Sequence, residues 1–381
     1  MHDAIIVGGG PAGSLAAKDL AKRGMDVLVL EEHESVGVPQ HCTGLITENT
    51  IHMSGVRPDI LNTLYGAEVV FPNGQTITVR SDKPKAKIVS RVDLDVRMAE
   101  AAMDAGATFS FSDKYESHKV DPGVMVHSTT GVHEAKVIIG ADGASSKVAM
   151  SLGDNKPKEY IRGIQADVKY IMEDQSIFRV FLGNSVAPGF FAWQIPCGTF
   201  TRVGLCTSWS AGSPSEYLSD LLIRMGMEDR IIKVYTGKIP IGRRPQIYGD
   251  RCLLAGDALA YVKPLSGGGL YPAFKANEHL VRTLEGAIES DMLFSRDLSG
   301  YEQACTMDFG KDIDRAYGYR QRYKYLTDSD FNRCCDIIRK NDLIPILEGL
   351  DIDHPNDTVK KITKMPKVVI SALPLVMRSV R

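Results

Sequence analysis

The spacing of hydrophobic and polar positions changes along the chain and predicts a sequence of distinct elements. "DAIIVGGG" is a short apolar run breaking into glycines, which predicts a buried strand entering a tight turn. "PAGSLAAKDLAKRG" has helical spacing and stops at Gly24, and "DVLVLEE" is the next strand. Asp3–Glu32 therefore reads as β-α-β, the unit of a parallel sheet. "RVDLDVRMAEAAMDAGA" predicts an amphipathic helix stopped by Gly106, and "AKVIIGADGASSKV" a further strand and turn. Between Gly163 and Tyr248 the period shortens. "FRVFLG", "FFAWQIP" and "TRVGLCTSW" alternate as strands of an antiparallel sheet do. Val69–Arg80, with its "PNGQ" turn, predicts a hairpin that joins that sheet. Beyond Gly300 the chain is helical, charged and rich in tyrosine. The expected fold class is α/β in three parts. Residues 1–66 with 91–157 and 250–300 form a discontinuous nucleotide-binding domain with a parallel sheet. Residues 67–90 with 158–249 form an inserted antiparallel-sheet substrate domain, and residues 301–381 a helical part.

Composition narrows the class. The 381 residues are 44% hydrophobic and 24% charged, with a net charge of −2. Lysines and arginines are scattered, so no nucleic-acid partner is expected. Seven cysteines, an odd number with no C-x-x-C pair, predict a reduced cytoplasmic protein without a zinc or iron–sulfur site. The chain opens directly into a strand, so no signal peptide is expected. It also lacks the run of ~20 apolar residues that a membrane span needs. The stretch "KMPKVVISALPLVMRSVR" carries an apolar run, Val368–Met377, flanked by Lys364, Lys367, Arg378 and Arg381. It predicts either a docked terminal helix or a peripheral contact with the inner face of the membrane.

Three glycine-centred motifs carry candidate chemistry. In "GGGPAG", Gly8, Gly10 and Gly13 satisfy G-x-G-x-x-G, directly after a strand and into a helix that begins around Ala12. Such a turn lets the backbone approach a pyrophosphate at a helix N-terminus. Glu31, at the end of the second strand, is placed to hydrogen-bond a ribose hydroxyl. Asp142, followed by Gly143, ends another strand. The third motif is "LLAGDALAYVKPLSGGGLYPAFKANEHL", where Asp257 follows an apolar run and Gly267–Gly269 precede a helix.

These motifs in this order resemble the FAD-dependent hydroxylase and oxidoreductase superfamily, which implies a Rossmann-like domain with FAD as cofactor. The resemblance places Asp257 under the ribityl chain, and Gly268, Gly269 and Leu270 against the flavin pyrimidine ring. That end of the ring turns negative on reduction, which a helix N-terminus stabilises. It also implies an FAD contact from Arg91 and a backbone contact from Tyr115 near the adenine.

Further motifs narrow the family. "APGFFAWQIP" sets Pro188, Phe191, Trp193 and Pro196 in P-x-x-F-x-W-x-I-P, similar to the P-x-x-Y-x-W-x-F-P signature of geranylgeranyl reductases. "KPLSGGGLYPA" is similar to their flavin loop. "PQHCTGLI" places Cys42, Thr43 and Gly44 where that family keeps a cysteine beside the flavin. The sequence departs from the pattern at Phe191, at Ile195 and in "CTGL", which leaves the particular isoprenoid open. The resemblance implies reduction of isolated C=C bonds in a geranylgeranyl or polyprenyl chain, of the kind found in archaeal-type ether lipids.

Adding hydrogen to an isolated alkene takes a hydride, a proton and a means of stabilising positive charge on the methyl-bearing carbon. Phe191 and Trp193 are the expected aromatic faces, and Cys42, His41 or Tyr271 the expected acids. A second dinucleotide fingerprint is not visible in the sequence, so ferredoxin, NAD(P)H and a deazaflavin all stand as electron donors. Alternative readings of the same scaffold are an FAD monooxygenase or halogenase and an electron carrier to a quinone.

Overall fold

A computed structural model describes residues 1–368 together with 370 and 371. Most of the apolar run Val368–Met377 thus falls outside the described residues. At the centre of the first sheet five strands run parallel, in the order Cys252–Leu254, Gly131–Gly140, His2–Val7, Val27–Leu30 and Thr108–Ser110. Their continuous apolar runs are explained by burial: Ile5, Ile6, Val27, Val29 and Val137–Ile139 are wholly inaccessible to solvent. The hairpin Tyr115–Val120 and Val124–Ser128 pairs antiparallel with the long strand Gly131–Gly140. The helices Pro11–Ala21, Arg91–Asp104 and Leu270–Leu284 pack together beside this sheet. The helix Arg91–Asp104 starts where Ser90 accepts a hydrogen bond from the Asp93 backbone N–H.

The second sheet has seven strands, in the order Ile231–Ile241, Glu159–Val168, Thr201–Ser208, Ala192–Pro196, Ile177–Phe181, Gly66–Val70 and Thr76–Arg80. The expected hairpin therefore does join it. One joint departs from the antiparallel expectation, because Ile177–Phe181 runs parallel to Gly66–Val70. Ala86–Val89 pairs instead with Leu45–Ile46 and Ile60–Leu64 in a small third sheet.

A helix, Pro214–Met225, also lies within the stretch read as strands. Its local signals are Pro214 in the first turn and Gly226 in the left-handed region at φ 63°. Leu218, Leu221 and Leu222 pack on Ala166, Val203 and Leu205. This cover buries one face of the strand Thr201–Ser208, and packing on the opposite face leaves the strand buried almost throughout although its sequence alternates.

The second face of that sheet builds an apolar cluster. Phe190, Trp193 and Ile195 meet Leu64 and Ile88 from the third sheet and Val262 from the loop before Gly267. The chain closes with helices from Ser295 to Thr363. Among the described residues no helix is long and apolar enough to cross a membrane.

Candidate active site

The first glycine motif forms a backbone cradle. Gly8 has φ 101°, and a Cβ there would stand 2.5 Å from the Ala141 carbonyl oxygen. A Cβ on Gly13 would meet the Gly8 carbonyl oxygen at 1.9 Å, so both positions exclude any side chain. Beside Gly10, by contrast, a Cβ would meet nothing within 4 Å, which leaves the face of the turn open. The helix Pro11–Ala21 begins there without a side-chain cap, which leaves its first N–H groups without a side-chain partner, as an anion-accepting helix start requires. Glu31 is buried behind the turn. It accepts from the Gly9 N–H at 2.8 Å and the His33 N–H at 3.0 Å, and the His33 ring nitrogen lies 2.7 Å away. A carboxylate offers about four lone-pair sites, so Glu31 retains capacity for a hydroxyl. Gly9 and His33 were not singled out in the sequence.

Arg91 links two of the other expected residues, Cys42 and Asp257, with Asp95, which was not among them. Its guanidinium pairs with Asp95 at 2.9 Å, four residues along the same helix, and both side chains are about nine-tenths buried. Burial works against its charge, but Asp95 and then the Cys42 thiol outweigh it, holding Arg91 firmly protonated. The same cation faces Asp257. Burial raises the Asp257 carboxyl above the usual range, and Arg91 only partly offsets that. Asp257 sits in a single 3-10 turn after the strand Cys252–Leu254. It backs the second glycine loop so closely that a Cβ on Gly269 would lie 2.7 Å from its Oδ1. Gly267 has φ 74°, with the Phe190 ring and Ile239 beside it. The helix from Leu270 then starts uncapped, as at the first turn. Asp95 carried a readable signal, the i, i+4 spacing from Arg91.

The aromatic residues of "APGFFAWQIP" come together on the sheet. Phe190 and Phe191 stack at 4.5 Å, and Phe191 meets Trp193 edge-on at 6.0 Å. The Cys42 loop crosses the same face. His41 Nδ1 lies 2.6 Å from the Thr236 carbonyl oxygen, and Arg202 donates to the Thr43 carbonyl oxygen at 2.6 Å. Arg202 is itself held by Asp167 in a buried two-point ion pair, to which the Tyr235 hydroxyl adds a hydrogen bond. Gly44, at φ 78°, passes so close to the Val89 carbonyl that a Cβ would stand 2.4 Å from it.

Two expected residues have other engagements. The Asp142 carboxylate accepts from Ser146 Oγ at 2.5 Å and from the N–H groups of Lys147 and Val148, capping the short helix Lys147–Ser151. The Tyr115 side chain turns into the core and bonds His118 at 2.7 Å, which leaves only its backbone for a ligand.

A segment far along the chain packs against these residues. Lys263, just before the second glycine loop, donates to the Ile352 carbonyl oxygen and to Asp353, both at 2.9 Å. Thr47 bonds the other oxygen of Asp353 at 2.5 Å, and the Tyr271 hydroxyl lies 3.0 Å from His354 Nε2. Ile352 packs into the cluster of Phe191 and Trp193.

Known proteins share this architecture. Residues 1–219 match the FAD binding domain family. Digeranylgeranylglycerophospholipid reductase 2 of Methanopyrus kandleri is 27% identical, over 99% of this chain and 98% of that protein. Digeranylgeranylglycerophospholipid reductase of Methanothrix thermoacetophila is 28% identical over 90% and 92%. The crystal structure of a geranylgeranyl bacteriochlorophyll reductase-like protein from Thermoplasma acidophilum superposes with a TM-score of 0.85 at 23% identity, covering 98% of this chain and 99% of that one. With its glycine cradle and its uncapped helix starts, the chain belongs to the FAD binding domain family and is an FAD-dependent oxidoreductase, similar along almost its whole length to these reductases.

Proposed function

We propose that this protein saturates isolated C=C bonds in the geranylgeranyl or polyprenyl chains of archaeal-type ether lipids. The observation that carries this reading is the aromatic wall of Phe190, Phe191 and Trp193, which stands beside Gly267 in an apolar cluster with Phe190 and Trp193 buried and Phe191 partly so. The printed names of the archaeal relatives support the substrate class.

The residues present fit FAD. In this reading Gly8, Gly10, Ala12 and Gly13 cradle its pyrophosphate, and Glu31 holds the adenosine ribose. Tyr115 and Asp142 contribute through backbone at the sheet end. Arg91, Asp257 and the backbone of Thr43 and Gly44 surround the flavin side, while Gly268, Gly269 and Leu270 present N–H groups to the pyrimidine ring. When bound, FAD supplies the hydride.

The protein's own contribution is orientation, charge and a proton. Phe191 and Trp193 face the methyl-bearing carbon, where positive charge develops, and stabilise it by about 0.5–2 kcal/mol in a desolvated site. Cys42, beside the Arg91 cation, delivers the proton to the neighbouring carbon. The Arg91–Asp95 pair keeps that loop in place. A lipid substrate implies peripheral contact with a membrane surface.

Anaerobic incubation of the photoreduced holoenzyme with a geranylgeranyl ether lipid tests the reading. The expected product gains mass in steps of two hydrogens. Quinol formation from an added quinone without lipid reduction would favour an electron carrier, and halide incorporation or oxygen-dependent turnover a halogenase or monooxygenase. Stopped-flow reduction by ferredoxin, NAD(P)H and a reduced deazaflavin identifies the electron donor.

A further inference from the structure

The site-facing side of the seven-stranded sheet contains two polar groups with nothing to bond. Gln165 is 3% exposed, and neither its Oε1 nor its Nε2 has a hydrogen-bond partner among the described residues. Trp193 is 9% exposed, and its Nε1 likewise has none. The two are neighbours. Gln165 and Trp193 each pair in register with Gly204, from the strands on either side of it. A Cβ on Gly204 would stand 2.5 Å from Gln165 Cβ and 2.7 Å from the indole Cε2, so the two side chains converge over that glycine.

The surrounding polar groups are already committed. Asp167, two residues along the strand from Gln165 and so on the same face, is taken up by Arg202 and Tyr235. Arg202 in turn holds the loop of Cys42 through the Thr43 carbonyl. The amide and the indole N–H therefore lie on the face that the Cys42 loop crosses, with Phe191 edge-on to the indole. Buried polar groups are almost always paired, and an unpaired amide in an apolar wall weakens folding. Leu or Met would pack there without that cost.

We propose that Gln165 and Trp193 Nε1 form a subsite for the oxygen at the head of a prenyl chain, a C1 hydroxyl or ether. This rests on the reading above that the substrate is a prenyl lipid. The indole N–H donates to that oxygen. The glutamine amide, free to turn, accepts from a hydroxyl or donates to an ether. The first double bond of an allylic prenyl group begins one carbon beyond C1. Holding the oxygen here fixes that bond against the aromatic wall, so the subsite sets which double bond is reduced first.

The chain has two tryptophans, and Trp209 is exposed at the surface, so a Trp209→Phe holoenzyme labelled with 15N-tryptophan reports the Trp193 indole alone. Geranylgeraniol is expected to move the indole N–H signal downfield, and the matched C20 hydrocarbon without oxygen to leave it in place. Gln165→Met should weaken geranylgeraniol binding by roughly two- to tenfold, one neutral hydrogen bond's worth, and leave hydrocarbon binding unchanged. It should also abolish any preference for the bond nearest the oxygen, with an equal or higher melting temperature. If that variant fails to fold, Gln165→Leu, which also removes the amide and leaves the aromatic wall intact, carries the same comparison.

The proposal is overturned if alcohol and hydrocarbon act alike on the signal, as a resident water in the niche would make them. It is overturned too if going from the flavin-free protein to the holoenzyme already moves the signal downfield and geranylgeraniol adds nothing, or if Gln165→Met binds both ligands as the wild type does. A shift with the alcohol in an enzyme that reduces no prenyl compound would sustain the subsite and remove the reductase reading.

Discussion

At the scale of single residues, the site turns on one cation among groups that burial makes costly. Arg91 stands between Asp95, Cys42 and Asp257, and it only partly offsets the burial of Asp257. The Asp257 carboxyl has a folded-state pKa above its unfolded value. Its contribution to stability is therefore full below the unfolded pKa and is lost as pH rises through the folded one. Asp257→Asn removes that titration. In flavin-free protein, Asp257→Asn should melt higher than wild type near pH 7–8, and the difference should shrink as pH falls through the raised pKa. Its retention of FAD should be poorer. Melting curves across pH and the flavin-to-protein absorbance ratio check both. An identical pH profile for the two proteins would show that burial does not strain this carboxylate.

At the scale of elements, two glycine turns each lead into an uncapped helix with different tolerance of a side chain. The would-be Cβ of Gly13 runs into backbone, the Gly8 carbonyl, at 1.9 Å. The would-be Cβ of Gly269 meets the end of a side chain, Asp257 Oδ1, at 2.7 Å. Backbone in a strand-to-helix turn cannot step aside, whereas a carboxylate can rotate. Gly13→Ala should therefore cost about 1–3 kcal/mol of stability, as overpacking does, and abolish FAD retention. Gly269→Ala should remain folded near the wild-type midpoint while losing flavin affinity, because the displaced Asp257 leaves the position it would hold. Urea midpoints and bound-flavin titrations separate the two. Equal loss of stability in both variants would mean the second loop is as rigid as the first.

At the scale of the whole molecule, the helical end of the chain is joined to the site through residues 350–354. Lys263 and Asp353 pair at 2.9 Å with side chains 13% and 6% exposed, and Ile352 enters the aromatic cluster. Removing one partner of such a pair strands a buried charge. Asp353→Ala should cost roughly 3–5 kcal/mol in urea unfolding, and Lys263→Met combined with Asp353→Leu should recover most of it. If the single variant were as stable as wild type, this segment would be a surface passenger, not a part of the wall.

The sequence alone determined most of the elements. Strand, glycine turn and helix at Asp3–Gly24 could be read because apolar period, φ-permissive glycines and a helix stop all act within a few residues. The same held for Asp257 and Gly267–Gly269, and for the strands around Trp193. The helix Pro214–Met225 was legible only at its ends, through Pro214 and Gly226, because the strands around it dominate the pattern. Tertiary structure alone decided what meets across the chain. That Arg202 reaches Thr43, that Asp353 reaches Lys263 and that Gln165 meets Trp193 over Gly204 follows from sheet register and packing. No local period carries that information. A polar residue in a strand looks the same whether its partner is water, protein or a ligand, and only burial without a partner tells them apart.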